Sequence, residues 1–243
     1  MRFISSFATI NMELLKNMLK SYRFTLVEVL VAVGIIALLA GLLIPVVYSA
    51  QQRGRIAAAN ADMKSLEIAF RGLDREYGKM LEYKDGKYYL GGRELSAPVD
   101  GSVTIGALKS TGEYDDSAAT MGIYRASVAE LSDPTNAGIS SSLSVNLRKL
   151  TLLEPRGEYN PALNYDADAN KPHLWLDPWG NPYFIRINVD ATEKIPDPTS
   201  TTSTDRIARR IIVWSLGPDG KGSSNAAAPE NTDNVCGWKT NWR

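Results

Sequence analysis

Between Phe24 and Val47 the chain reads FTLVEVLVAVGIIALLAGLLIPVV, 24 residues with a single charge at Glu28. At 1.5 Å of rise per residue this makes roughly 36 Å of helix, enough to cross a bilayer core of about 30 Å. The run therefore predicts one membrane span. A cleaved secretory signal has a shorter apolar region, about 7–15 residues, ending at a small-residue cleavage site. Here the run continues into QQRGRIAAAN without an A-x-A pattern, so the span is expected to be retained. Arg2, Lys16, Lys20 and Arg23 precede it and Arg53, Arg55 and Lys64 follow it, a distribution that leans towards a cytoplasmic N-terminus under the positive-inside rule.

Beyond the run the pattern becomes amphipathic. Ile56, Ala59, Met63, Leu66, Phe70, Leu73 and Tyr77 recur at intervals of three and four, while Asp62, Lys64, Glu67, Arg71, Asp74 and Arg75 fill the positions between. The stripe is expected to pack on the protein's own domain in preference to forming a short coiled coil. Glu67 stands four residues before Arg71, the favourable order for a helical ion pair. Gly41, Pro45 and Gly54 interrupt the pattern without a certain stop, so one helix is predicted from about Phe24 to Tyr77, on the order of 80 Å long.

Shorter elements follow. KDGK, Lys84 to Lys87, is a turn signal between LEY and YYL and predicts a hairpin. Residues 96–170 are rich in Ser, Gly, Asp, Asn and Ala and read as a loop-rich insertion, with a helical patch around Ser141 to Leu153. YFIRINV, Tyr183 to Val189, and RIIVWSL, Arg210 to Leu216, are the best strands. PDPTSTTSTD, from Pro196 to Asp205, is a solvated connection between them. The sum is an α+β chain.

Charge and composition exclude several functions. Across 243 residues, 27 Lys and Arg balance 27 Asp and Glu, so no basic field supports a nucleic-acid partner. One cysteine, Cys236, forbids an intrachain disulfide and a four-cysteine zinc site, and one histidine, His173, forbids a histidine-rich metal cluster. Cys236 reads as an idle thiol and His173 as a surface residue. An anchored extracytoplasmic enzyme is the outlying alternative, with no nucleophile or metal constellation behind it.

Glu28 is the chemical feature of the apolar run. A lone carboxylate there costs about 2.5–3.5 kcal/mol on insertion scales, so it needs a partner, a proton or access to the headgroups by snorkelling. The string around it resembles the N-terminal segment of type IV pilins and of type II secretion pseudopilins, in which Phe opens the mature chain, Glu lies four residues later and Pro lies 21 residues after the Phe. Phe24, Glu28 and Pro45 match. The resemblance implies that prepilin peptidase cuts between Arg23 and Phe24 and methylates the new amine, leaving residues 1–23 as a leader. The family usually has Gly where Arg23 stands, and initiation at Met18 would shorten the leader to MLKSYR. The resemblance also implies assembly through residues 24–52, with Glu28 of one subunit paired to the Phe24 amine of its neighbour. Pro45 removes a backbone donor, so a kink or local melting is expected there.

Two carboxy-terminal strings carry further chemistry. DPWGNPY, Asp177 to Tyr183, is by residue type a turn entering a sheet, with a carbohydrate platform on Trp175 and Trp179 as the alternative. SLGPDGKGSSNAAAPENTDNVCGW, Ser215 to Trp238, offers glycines for tight turns and hard oxygens from Asp219, Asp233 and Asn234, without the spacing of an EF-hand. Spacing alone favours a plain polar loop. The two strings are nevertheless similar to the DPWG-NPY and SLG-x-DG signatures of the major type II pseudopilin. That resemblance implies a pilin-like fold: a long N-terminal helix, half transmembrane, packed on a small antiparallel sheet, with a C-terminal ion-binding loop. It implies one calcium ion held by the Leu216 carbonyl, Asp219, Asp233 and Asn234. Asn234 replaces a carboxylate and the loop is longer than usual, two changes expected to lower ligand charge or rigidity.

The resulting expectation is a subunit of a type II secretion pseudopilus, without catalytic activity, with residues 53–243 as its extracytoplasmic domain. It would be stored as a single-pass protein of the inner membrane and assembled into a periplasmic filament. Its implied partners are copies of itself in a helical homopolymer, minor pseudopilins, the inner-membrane assembly platform, prepilin peptidase and membrane lipid. A type IV pilus subunit for adhesion, motility or DNA uptake is the nearest alternative.

Overall fold

The computed structural model describes residues 25–132, 141–154, 175–190, 192–202 and 204–239. Packing divides the chain into two units, Met1–Gln51 and Gln52–Arg243. Helix α1, Leu26–Tyr77, supplies the described part of the first and opens the second.

In the first unit the helix is exposed on every side. Leu26, Leu30, Ile36, Leu42, Ile44 and Val47 all face outward, and this is the one helix among the described residues long and apolar enough to cross a membrane. Local melting at Pro45 does not occur, and the helix is assigned through Gly41, Pro45 and Gly54 alike. Proline removes only its own N–H from the ladder, and the bonds to either side keep the turn closed.

The second unit is built on the amphipathic stripe. Ala59, Met63, Leu66, Phe70 and Leu73 are buried as expected, in one core with the sheet residues Ile185, Ile187, Ile211 and Val213. Burial reaches further round the helix than the apolar residues do, taking in Asp62 and Glu67. Asp62 accepts a hydrogen bond from Tyr183 Oη at 3.1 Å. Glu67 is bonded by Arg209 at 3.1 Å and Lys64 at 3.0 Å, and not by Arg71 as its spacing predicted. Tertiary folding brings Arg209 to the buried side of α1, where a carboxylate taken out of water needs compensation more than one in solvent does. Arg210, just before the strand Ile211–Ser215, makes a second ion pair to α1, with Asp74.

The sheet runs in the order β4 (Ser102–Ile105), β5 (Phe184–Asn188), β8 (Ile211–Ser215), β9 (Val235–Cys236), with antiparallel neighbours throughout. Successive strand residues point to opposite faces. Tyr183 reaches Asp62 of α1, so Ile185 and Ile187, with their partners Val213 and Ile211, belong to the α1 face. Phe184, Arg186, Ile212 and Trp214 belong to the other. Every residue of β8 is buried.

The KDGK hairpin forms as predicted, from β1 (Glu82–Lys84) and β2 (Lys87–Leu90), with β3 (Arg93–Glu94) added at its edge. Asp85 and Gly86, at φ 50° and 79°, make the left-handed two-residue turn that matches strand twist. The connection after β5 is framed by β6 (Ile195–Pro196) paired with β7 (Arg206–Ile207).

The stretch expected to be loop-rich contains β4 and a 15-residue helix, α2, Ala118–Ser132, which packs on β2, β3 and β4. The helical patch expected around Ser141 to Leu153 is reduced to one 3₁₀ turn, Ser141–Leu143. Asn146 diverts that backbone: its Nδ2 donates to Glu130 O and Leu150 O at 2.9 and 2.7 Å, and its Oδ1 accepts from Leu150 N at 2.9 Å. Glu130 Oε1 takes Ser144 Oγ and Asn146 N at 2.7 and 2.6 Å. Side-chain bonds of this kind replace the helical ladder, and Lys149 at φ 55° ends any helical path.

Candidate functional site

Arg23, Phe24 and His173 lie outside the described residues. Immediately after Phe24 the helix is capped by a reciprocal pair. Thr25 Oγ1 accepts from Glu28 N at 3.2 Å, and Glu28 Oε2 accepts from Thr25 N at 2.8 Å and from Thr25 Oγ1 at 2.7 Å. This is the T-x-x-E capping box, legible in the sequence as Thr25 to Glu28 but not anticipated above. Glu28 thus has a partner within its own chain, satisfying donors that the first helical turn leaves unpaired.

The two carboxy-terminal strings form one structure. Asp177 Oδ1 accepts from Trp179 N at 3.0 Å and Asn181 N at 2.8 Å, closing a turn across which Asp177 N donates to Asn181 O at 2.8 Å. Asp177 Oδ2 accepts from Ser215 Oγ at 2.5 Å, and Ser215 Oγ accepts from Gly217 N at 2.9 Å. The turn before β5 is thereby tied to the start of the SLGPDG segment. Burial pushes the Asp177 carboxyl up to about 6 against the opposing pull of these donors. Trp175 is buried in the core and Trp179 packs against it, so both serve packing and form no exposed platform.

The four residues implicated in ion binding are brought together. A Cβ on Gly217, at φ 70°, would stand 2.3 Å from Asp233 O, so only glycine lets the Leu216–Pro218 bend lie against Asp233. Asp219 N donates to Asp233 Oδ2 at 3.1 Å, and Lys221 N donates to Asp219 Oδ1 at 2.8 Å. Asp233 Oδ1 is buried and has no hydrogen-bond partner among the described residues. Burial, with the Asp219 charge adding to it, holds the Asp233 carboxyl above its ordinary range. Cys236, the next β9 residue but one after Asn234, is buried with its thiol pushed up by burial, consistent with an idle group.

Asn231 lies beside Asn234. Its Oδ1 accepts from Ser223 N at 2.8 Å, and its Nδ2 donates to Ser223 O and Asn225 O at 3.0 and 2.8 Å. Asn231 Oδ1 therefore faces Asn234 as an acceptor, and in one orientation of the Asn234 amide it receives Nδ2 at 3.0 Å. In that orientation Asn234 Oδ1 lies 2.7 Å from Leu216 O and 3.1 Å from Lys221 O, three oxygens with no proton between them. Turning the amide over would supply both carbonyls with N–H donors but set its oxygen 3.0 Å from Asn231 Oδ1. A cation among the oxygens favours the first orientation, and its absence the second.

Among the described residues no three His, Cys, Asp or Glu side chains converge. Two sets of oxygens lie along this loop: the Asp219 and Asp233 carboxylates, and the Asn234 amide with the carbonyls of Leu216 and Lys221. Such oxygens, one of them a buried carboxylate oxygen unpaired among the described residues, fit a hard divalent cation. Lys221 and Asn231 were not anticipated: a backbone carbonyl leaves no mark in a sequence, and Asn231 acts through bonds to Ser223 and Asn225 that carry no motif.

Comparison with family profiles, with characterised proteins and with solved structures finds no match for this chain.

Proposed function

We propose that the chain is a filament subunit of the major-pseudopilin type, stored in the membrane by the apolar part of α1 and polymerised through it in a type II secretion system. The observation that carries this reading is the apolar helix surface from Leu26 to Val47, exposed on every side, with Glu28 as its one charge. Such a surface requires lipid or other apolar helices to cover it. A subunit that passes from membrane to filament exchanges one cover for the other. Cleavage before Phe24 creates an α-amino group, and Glu28 leaves its Thr25 partner to pair with that amine on a neighbour, setting the axial register. Leu216, Asp219, Asp233 and Asn234, with the Lys221 carbonyl, hold one calcium ion that neutralises the paired carboxylates and fixes the loop between β8 and β9. The membrane is the inner one, the C-terminal unit lies on its outer side, and the chain carries out no catalytic step.

The test is a strain lacking the chain, complemented with wild type or Glu28→Ala. Wild type restores export and yields filaments whose subunits begin at Phe24 by mass spectrometry. Glu28→Ala inserts in the membrane but builds no filaments. Normal export in the deletion strain together with lost adhesion, motility or DNA uptake would replace this reading with the type IV pilus one. Filaments assembled from Glu28→Ala would refute the pairing.

A further inference from the structure

On the sheet face turned away from α1, an open cleft of about 370 Å³ lies between the Gly106–Leu108 segment, the β5–β8 pair and the loop after β8. Its wall is aromatic. Phe184 and Trp214 stack with centroids 5.1 Å apart and planes 17° from parallel, and Leu108 continues the apolar surface. Among the described residues its lining holds one cation, Arg186, whose guanidinium carbon lies 5.5 Å from the Trp214 ring centroid.

Arg186 has more donors than acceptors. Its Nε bonds Thr104 Oγ1 at 2.9 Å and its Nη1 reaches Pro196 O at 3.4 Å. Both acceptors are neutral, and among the described residues no carboxylate lies within ion-pair distance of it. A guanidinium carries five N–H donors in a planar fork, and among the described residues only Nε and Nη1 find an acceptor. Burial disfavours its charge, relieved only by Asp100 from a distance. A half-buried guanidinium beside aromatic rings, with donors that the described residues do not take, is placed to receive an anion from the cleft.

We propose that this cleft binds a carboxylate carried on an apolar or aromatic skeleton, its oxygens received by Arg186 and its skeleton laid against Phe184 and Trp214. One guanidinium offers one positive charge and parallel N–H donors, which match a carboxylate in charge and geometry. A phosphate would bring nearly twice the charge, and among the described residues no second cation lines the cleft. The apolar wall rewards a skeleton that a bare inorganic anion lacks. The acid is either a free small molecule or the carboxyl end of a polypeptide. The site adjoins the oxygen cluster through Leu216 and Asn234 but uses the opposite charge, and the proposal stands whether or not the chain forms filaments.

The test is calorimetric titration of the full chain in nonionic micelles with 3-phenylpropionate, with the tripeptide Gly-Gly-Phe, and with the carboxamide of each. The acids bind saturably, and the amides bind at least ~10-fold more weakly. Binding of both acids identifies a chain end as an acceptable source, and binding of 3-phenylpropionate alone identifies a small free acid. Arg186→Gln weakens acid binding at least ~10-fold and brings it level with the amide, while Arg186→Lys, which keeps the charge without the fork, falls between. Ser224→Glu, at the exposed rim of the same cleft, supplies a competing carboxylate and weakens the acids without lowering the melting temperature. An arginine that served packing alone would lower the melting temperature in Arg186→Gln and leave the acid-to-amide ratio unchanged. That ratio unchanged, amides binding as tightly as acids, or no saturable binding of either acid up to about 10 mM would each overturn the proposal.

Discussion

Replacing Asp177 by Asn tests whether burial or hydrogen bonding dominates at the joint between the two carboxy-terminal segments. The folded carboxyl is raised from 3.8 to about 6, with burial as the largest cause. A difference of about 2 units corresponds to about 3 kcal/mol. Because the folded state holds the proton more tightly than the unfolded chain, the stability tied to this group is complete below the unfolded value and lost as pH rises through about 6. Asn keeps the oxygen that accepts from Trp179 and Asn181 and presents Nδ2 to Ser215 Oγ, so it imitates the protonated acid. The Ser215 hydroxyl proton loses an acceptor, at about 1 kcal/mol. The two proteins should therefore agree within about 1 kcal/mol at pH 4, and the variant should lead by about 2–3 kcal/mol at pH 7. Urea unfolding of the full chain in micelles, with chelator present in every sample, measures the difference while carboxylates common to both proteins cancel. Parallel stability curves across that window would refute the claim that burial outweighs the donors. A wild type that gains on the variant as pH rises would reverse its sign.

Two further outcomes test the oxygen cluster. Gly217→Ala places a methyl 2.3 Å from Asp233 O at φ 70°, so it should cost about 2–4 kcal/mol from left-handed strain and displaced backbone and abolish any calcium dependence of melting; wild-type behaviour would show that the bend need not touch Asp233. In wild type, calcium at a hundredfold excess over its dissociation constant should stabilise the chain by about 2.7 kcal/mol, Asp219→Ala should remove the effect, and equal melting with calcium and with chelator would leave the segment an ordinary loop.

What could be read in advance followed the reach of the interactions. The apolar run and the α1 stripe express burial directly as periodicity, and the Asp85-Gly86 turn is a local requirement of backbone twist. α2 was legible in part: Met121, Tyr124, Val128 and Leu131 are spaced by three and four and buried, but Gly122, Ser127 and the surrounding alanines dilute the pattern. The false helix after Ser141 shows the converse, because Asn146 spends its amide on Glu130 and Leu150 and no window of sequence contains that choice. Asp62 and Glu67 looked solvent-facing because their compensating partners, Tyr183 and Arg209, are 121 and 142 residues away. At the cluster, Asp219 and Asp233 were visible as side chains, whereas the Lys221 carbonyl and the Asp177–Ser215 tie exist only once the chain has folded.

Asn231 also decides what extra length in the loop costs. Its bonds to Ser223 and Asn225 close the neck of the segment, so residues 226–230 hang outside the mechanical path from Lys221 to Asp233. Closure entropy grows only with the logarithm of length, about 0.6 kcal/mol per doubling, and the clamp confines that cost to the far side of the neck. The segment beyond it is free to lengthen, shorten or change its sequence over generations while the oxygens keep their spacing, provided that the asparagine at its base stays.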